Sequence, residues 1–201
     1  MIVTKIEEVS ASKVKVYIDE EFAFVLYKGE LRKYGLKEGQ TIESKNYETL
    51  LHEVLPKRAK LRCMNLLKSR DYTTEQLRGK LRMGQYPDAC IEEAITYVAS
   101  FGYLDDLRYA VDFIESTQKG KSRRRIENDL LKKGISSRLI EEAWEKWQEK
   151  GNEQDEEEQI QRLLLKRHFD KEHADRAEVQ RMYAFLARRG FEADKIHKAL
   201  W

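Results

Sequence analysis

A chain of 201 residues is long enough for one or two ordinary domains. Charged residues make up 37% of it and mean hydropathy is −0.74, so apolar side chains are scarce and small helical layers are favoured over one large core. The net charge of +2 argues only weakly for a polyanionic partner, and no segment approaches a membrane-spanning apolar run.

The first 55 residues predict a small α+β module. Val14, Val16 and Ile18 alternate with Lys13, Lys15 and Tyr17, the period of a half-buried strand. Asp19-Glu20-Glu21 supplies a polar turn, and Phe22 and Phe24 resume the alternation as a second strand. A short helix is expected around Glu30 to Tyr34, ended by Gly35, then a turn at Lys37-Glu38-Gly39 and a short strand at Thr41-Ile42. With Ser44 as N-cap, Tyr47, Leu50, Leu51, Val54 and Leu55 keep helical spacing up to Pro56, where the helix is expected to stop.

After Pro56 the pattern is helical and repeats. Leu77, Leu81, Tyr86, Ile91, Ala94 and Ile95 are separated by steps of 4, 5, 5, 3 and 1. Ile126, Leu130, Ile135, Ile140, Ala143 and Trp144 follow the same steps, as do Met182, Leu186, Phe191, Ile196, Ala199 and Leu200. Each set predicts a helix, a tight turn and a second helix, preceded by another helix marked by Leu66-Leu67, Phe113-Ile114 or Leu163-Leu164. Gly134 and Gly190 stand where the turn needs a left-handed residue, and Gln85 takes that place in the first copy. The expected fold is mostly α: an elongated tandem array of three three-helix repeats, over residues 56–105, 106–150 and 151–201, behind the module of residues 1–55. The acidic run "GNEQDEEEQ" opening the third copy predicts a linker and hinge.

Two features invite a chemical reading. Asp105 and Asp106 are paired carboxylates, which elsewhere hold a metal ion and cut phosphodiesters. They fall between two predicted helices, where carboxylates accept hydrogen bonds from free N–H groups and favour the positive helix end. Neighbouring helical residues point about 100° apart, so two in succession rarely share one ion. They read as helix caps, not catalysts. The second feature is basic: Lys119, Lys121, Arg123, Arg124, Arg125, Lys132 and Lys133 stand against Glu127 and Asp129. With Ile126 and Leu130 buried, Arg124, Arg125, Asn128 and Lys132 are expected to point to solvent. Such a tract neutralises phosphates, meets an acidic protein surface, or is a solvated face. Lys57, Arg58, Lys60 and Arg62 form a second basic cluster.

Other chemistries find no support. The final helix of each copy carries Glu92-Glu93, Glu141-Glu142-Glu145-Glu149, or Glu192 with Asp194, the wrong sign for a helix reading the DNA major groove. Trp144 holds a ladder position, and Trp147, Tyr109 and Phe113 read as packing. Gly29, Gly35 and Gly39 lack the lysine-serine ending of a phosphate-binding loop. Cys63 and Cys90 lack zinc-type spacing and are expected to be reduced core thiols of a cytoplasmic protein; Glu7 and Glu8 do not fit a signal peptide. His52, His168, His173 and His197 form no ligand motif, so neither a metal nor another cofactor is expected.

These residues resemble the RecX family, modulators of the recombinase RecA. The resemblance is carried by "GYLDDLRYA" with "FI" after it, "KGKSRRRI" and "LLKKGIS" in the second copy, "LLKSRDYTTEQLRGKL" in the first, and "VQRMYAFLARRGF" in the third. It covers about residues 57 to 201, and the leading module is similar to the N-terminal extension of longer members. Ser122-Arg123 stand where the family commonly has a second glycine. The resemblance implies a non-enzymatic regulator that lies along the RecA–DNA filament and restrains ATP hydrolysis, strand exchange and co-protease activity; the chain is expected to be a monomer whose partners include single-stranded and also double-stranded DNA. The competing class is a stand-alone DNA-binding helical repeat.

Overall fold

The computed structural model describes residues 1–201, which divide into two compact units, Met1–Asp105 and Asp106–Trp201. No helix is long and apolar enough to cross a membrane.

In the first unit, β1 (Val3–Glu8), β2 (Lys13–Ile18) and β3 (Glu21–Tyr27) form an antiparallel sheet in the order β1-β2-β3. The alternation of β2 buries Val14 and Val16, which pair across the sheet with buried Leu26 and Phe24. Ile18 pairs with Glu21, leaving a two-residue turn in which Asp19 and Glu20 both have positive φ (49° and 72°). That geometry matches the right-handed twist of the flanking strands. Strand β1 was not among the expected elements. Its pairing slips between Val3 and Lys5, so buried Val3 and half-buried Ile6 break the two-residue period.

Helix α1 (Lys28–Lys33) starts earlier than expected because the Glu30 carboxylate reaches back to accept from the Tyr27 N–H at 2.8 Å. The expected strand at Thr41-Ile42 is a single bridge, Ile2 to Thr41. Helix α2 (Ser44–Thr49) has Glu43, not Ser44, at its N-cap. The helix also does not stop at Pro56: a π-helical turn, Leu50–Val54, carries it into α3 (Leu55–Leu67). Pro56 has no N–H to give, and it falls beside the widened turn, within the first residues of α3. Helices α3, α4 (Thr74–Met83) and α5 (Asp88–Ser100) form the first repeat. Its Leu55, Cys63, Leu77 and Ile91 share one core with Val16 and Phe24 of the sheet, so residues 1–55 and 56–105 are joined through a common interior.

In the second unit, α6 (Asp106–Thr117), α7 (Arg123–Lys132) and α8 (Ser137–Glu149) surround one core. Helices α9 (Glu156–Lys166), α10 (Arg176–Arg188) and α11 (Ala193–Leu200) surround another. Sixteen of the eighteen ladder residues are buried; Tyr86 and Ala199 are half-buried. Gln85, Gly134 and Gly190 take φ of 58°, 85° and 88°. After the first two, the Tyr86 and Ile135 N–H groups donate back to the Leu81 and Leu130 carbonyls, ending each helix as a left-handed cap does. Leu130→Ala or Ile140→Ala should therefore lower unfolding free energy by about 2–4 kcal/mol, moving the denaturant midpoint at constant slope.

The acidic run is not the free hinge its charge suggests. Asn152 donates to the Trp147 carbonyl, and Gln154 donates to the carbonyls of Gln118 and Lys121. Asp155 caps α9 by accepting from the Glu157 and Glu158 N–H groups. Glu156 accepts from the Arg123 N–H and pairs with Lys195, and Glu157 pairs with Lys198. The run disperses its like charge by capping one helix and bridging to two others.

Candidate functional site

Helix α7 carries the basic tract. Its N-cap is Ser122, buried, whose Oγ accepts from the Arg125 N–H at 3.3 Å while its own N–H donates to the Arg189 carbonyl of the third repeat. The residue that departs from the family pattern is thus the one that starts this helix. Ile126 and Leu130 are fully buried below it.

The seven basic residues are not equivalent. Arg123 pairs with Glu127 at 2.8 Å, and its guanidinium carbon lies 4.9 Å from the Trp144 ring centroid. Lys121 pairs with Asp129 at 2.7 Å, and Arg125 with the same carboxylate at 3.3 Å. Partial burial raises the Asp129 pKa, but the Lys121 hydrogen bond and the charges of Lys121, Arg125 and Lys132 outweigh it, holding the carboxyl below its usual range. Lys133 sits over Tyr109 and Phe113, 5.8 and 5.2 Å from their centroids. Lys119, Arg124 and Lys132 are exposed and have no carboxylate within ion-pair distance. Arg124, Asn128 and Lys132, four residues apart, make an exposed stripe about 12 Å long at the helical rise.

One expectation is corrected here. Arg125 points to solvent only in part: its side chain is 43% exposed and tied to Asp129, and its Cβ end is crowded. A Cβ built on Gly190 would lie 2.6 Å from the Arg125 Cβ and 2.7 Å from the Ser122 Oγ, so the third repeat's turn presses directly on this part of α7. Sequence reasoning assigned Gly190 its backbone conformation but not this contact, which no local pattern announces.

The second basic cluster lies in the first unit, on α3, and also divides. Arg58 is structural: it pairs with Glu30, donates to the Val25 carbonyl at 3.2 Å, and stacks 4.7 Å from the Tyr27 centroid. Lys60 pairs with Glu93 at 2.6 Å. Lys57 and Arg62 are exposed without a carboxylate partner. Asp105 immediately precedes α6 and Asp106 opens its first turn, the place expected of carboxylates that support a helix start. No three His, Cys, Asp or Glu side chains converge to hold a metal ion.

Both cysteines are free and buried, and burial pushes the Cys63 thiol up to about 11 and the Cys90 thiol also upward. Neither should react with a thiol reagent at pH 8 until the chain unfolds. A fast-reacting equivalent in native buffer would contradict the packing of α3 against α5.

Comparison with known proteins agrees with this architecture. Models of the first, second and third three-helix domains of RecX match residues 59–97, 105–143 and 154–200. The regulatory protein RecX of Caldanaerobacter subterraneus is 31% identical over all of this chain and 98% of its own length. That of Clostridium acetobutylicum is 27% identical, covering 98% of this chain and 94% of its own. A crystal structure of regulatory protein RecX superposes with a TM-score of 0.60 at 20% identity, covering 98% of both chains. The RecX structure from Lactobacillus salivarius gives 0.53 at 21% identity, covering 73% of this chain and 95% of its own; both show the shared fold. The three repeats, their turns and the sheet ahead of them belong to a member of the RecX family of regulatory proteins.

Proposed function

We propose that this chain binds the filament that the recombinase RecA forms on DNA, restrains its ATP hydrolysis, strand exchange and co-protease activity, and does so in the cytoplasm as a monomer without catalysis of its own. The observation that carries the proposal is the stripe Arg124–Asn128–Lys132, cationic and solvent-facing on a helix whose opposite face is fully buried. A rigid helix that offers unpaired cations suits phosphate or acidic protein surface, and fixed geometry limits the entropy lost on docking. Lys119 extends the cationic surface ahead of the helix, while Lys121, Arg123, Arg125 and Lys133 hold it in shape. Contacts through more than one repeat add by effective concentration, so no single one needs to be strong.

The deciding experiment is co-sedimentation with RecA, with and without single-stranded DNA and a non-hydrolysable nucleotide. Retention that is clearly stronger with all three present than on DNA alone supports filament recognition. Equal retention on DNA alone, abolished by salt, would place the chain among stand-alone DNA-binding proteins instead.

A further inference from the structure

Within the first unit, the sheet module and the first repeat enclose an open groove of about 1020 Å³. Its basic lining comes from four separate stretches: Lys13 at the start of β2, Lys33 at the end of α1, Lys57, Arg58 and Arg62 on α3, and Lys80 on α4. Only Glu30 and Glu53 oppose these six, and Glu30 is occupied by Arg58. The other five have no carboxylate within ion-pair reach. Of the five basic residues of the same repeat outside the groove, three are paired: Lys60 with Glu93, Arg78 with Glu75 and Glu92, and Arg82 with Glu75. Gathering unpaired cations in one concavity works against folding, and low-dielectric walls focus the field that results.

Apolar and aromatic surface is interleaved with the charge. Tyr27 is 41% exposed, with Arg58 and Lys13 at 4.7 and 5.4 Å from its centroid. Leu61 and Met83 line the groove and are 52% and 79% exposed. A double helix is convex and rigid, and it is read by elements that protrude into its grooves. A flexible single strand instead follows a cationic concavity, with its bases against flat or apolar side chains.

We propose that this groove binds single-stranded polynucleotide, with phosphates on Lys57, Arg62 and Lys80 and bases against Tyr27, Leu61 and Met83. Arg58, anchored by Glu30 and the Val25 carbonyl, is the fixed cation of the groove floor. The N-terminal module thereby contributes to binding, because it supplies one wall of the site. The proposal rests on the nucleic-acid half of the function proposed above.

The test uses the full chain and no recombinase, so it can fail independently of filament recognition. Anisotropy of a labelled oligothymidylate of about fifteen nucleotides is measured across a salt series. Variants are Lys57→Glu/Arg62→Glu/Lys80→Glu, its charge-neutral counterpart with Gln at the same three positions, and Leu61→Ala/Met83→Ala, each matched to the parent by thermal melting. Both charge variants are expected to lose affinity by about tenfold or more at low salt. The slope of log affinity against log salt should shrink by about 2, from three phosphate contacts at about 0.7 each. The apolar variant should weaken binding several-fold at unchanged slope. Unchanged affinity and slope in both charge variants would overturn the proposal. So would a duplex of the same length that binds as tightly and is lost in parallel, or polyglutamate displacing the oligonucleotide at equal charge, which would make the groove an acidic-peptide site.

Discussion

Gly190→Ala should destabilise the second unit by about 2–6 kcal/mol, the largest effect expected of any glycine-to-alanine change in this chain. Two costs add. At φ of 88° the backbone sits where a side chain is strained, about 1–3 kcal/mol. The new Cβ would also lie 2.6 Å from the Arg125 Cβ and 2.7 Å from the Ser122 Oγ. Relief requires the α10–α11 turn to withdraw from the start of α7, breaking the Ser122-to-Arg189 hydrogen bond, so overpacking contributes about 1–3 kcal/mol more. Gly134→Ala, with φ of 85° at the equivalent turn, provides the scale for backbone strain. Gln85→Gly should be neutral or stabilising, because glycine relieves the cost of holding a side chain at φ of 58° and loses part of that gain to a more flexible unfolded chain. Urea unfolding of the three variants separates the terms. If Gly190→Ala costs no more than Gly134→Ala, the close approach between the second and third repeats is not tight in solution.

That contact marks where sequence reading reaches its limit. The ladder was legible because each repeat must bury one stripe per helix and turn the chain with one left-handed residue. Helical period and a glycine at a fixed offset both leave traces in sequence order. Leu77, Ile126 and Met182 could therefore be aligned without coordinates. Strand β1 was hidden by a slip in pairing that breaks its alternation. Pro56 misled because a π turn lets a helix continue past a residue that usually ends one. The acidic run misled for a related reason: Glu156 finds its partners on Arg123 and Lys195, 33 and 39 residues away, and pairing over such distances has no local signature. The basic tract was legible as charge but not as function. Of its arginines only Arg124 is left unpaired, since Glu127 and Asp129 engage the other two. The groove in the first unit was less legible still: Lys13, Lys33, Lys57 and Lys80 come from four elements, and only the fold brings them together.

Arg124→Glu/Lys132→Glu is expected to abolish most of the regulatory effect while leaving the fold untouched. Both side chains are exposed, neither pairs with a carboxylate, and both lie opposite Ile126 and Leu130. Melting should stay within about 0.5 kcal/mol of the parent, the usual scale for surface changes. Two attractive contacts become repulsive, so filament affinity should fall by about tenfold or more, at least ~1.4 kcal/mol, most steeply at low salt. Arg125→Glu should behave differently. It removes a cation from half-buried Asp129 and disturbs the packing at Gly190, so it should lower stability by about 1 kcal/mol or more. The matched control reverses Arg138 and Lys150, exposed and without ion pairs, which changes net charge equally and should leave regulation intact. Lys195 and Lys198 are unsuitable for that purpose, because Glu156 and Glu157 hold them. Melting, filament co-sedimentation and inhibition of RecA ATP hydrolysis are measured for all variants across a salt series. If the Arg124/Lys132 variant inhibits as well as the parent, the stripe is a solvated face and the contact surface moves to the first unit, with Lys57 and Arg62. If naked-DNA binding is lost while inhibition persists, DNA sits on α7 and the recombinase on another face of the chain.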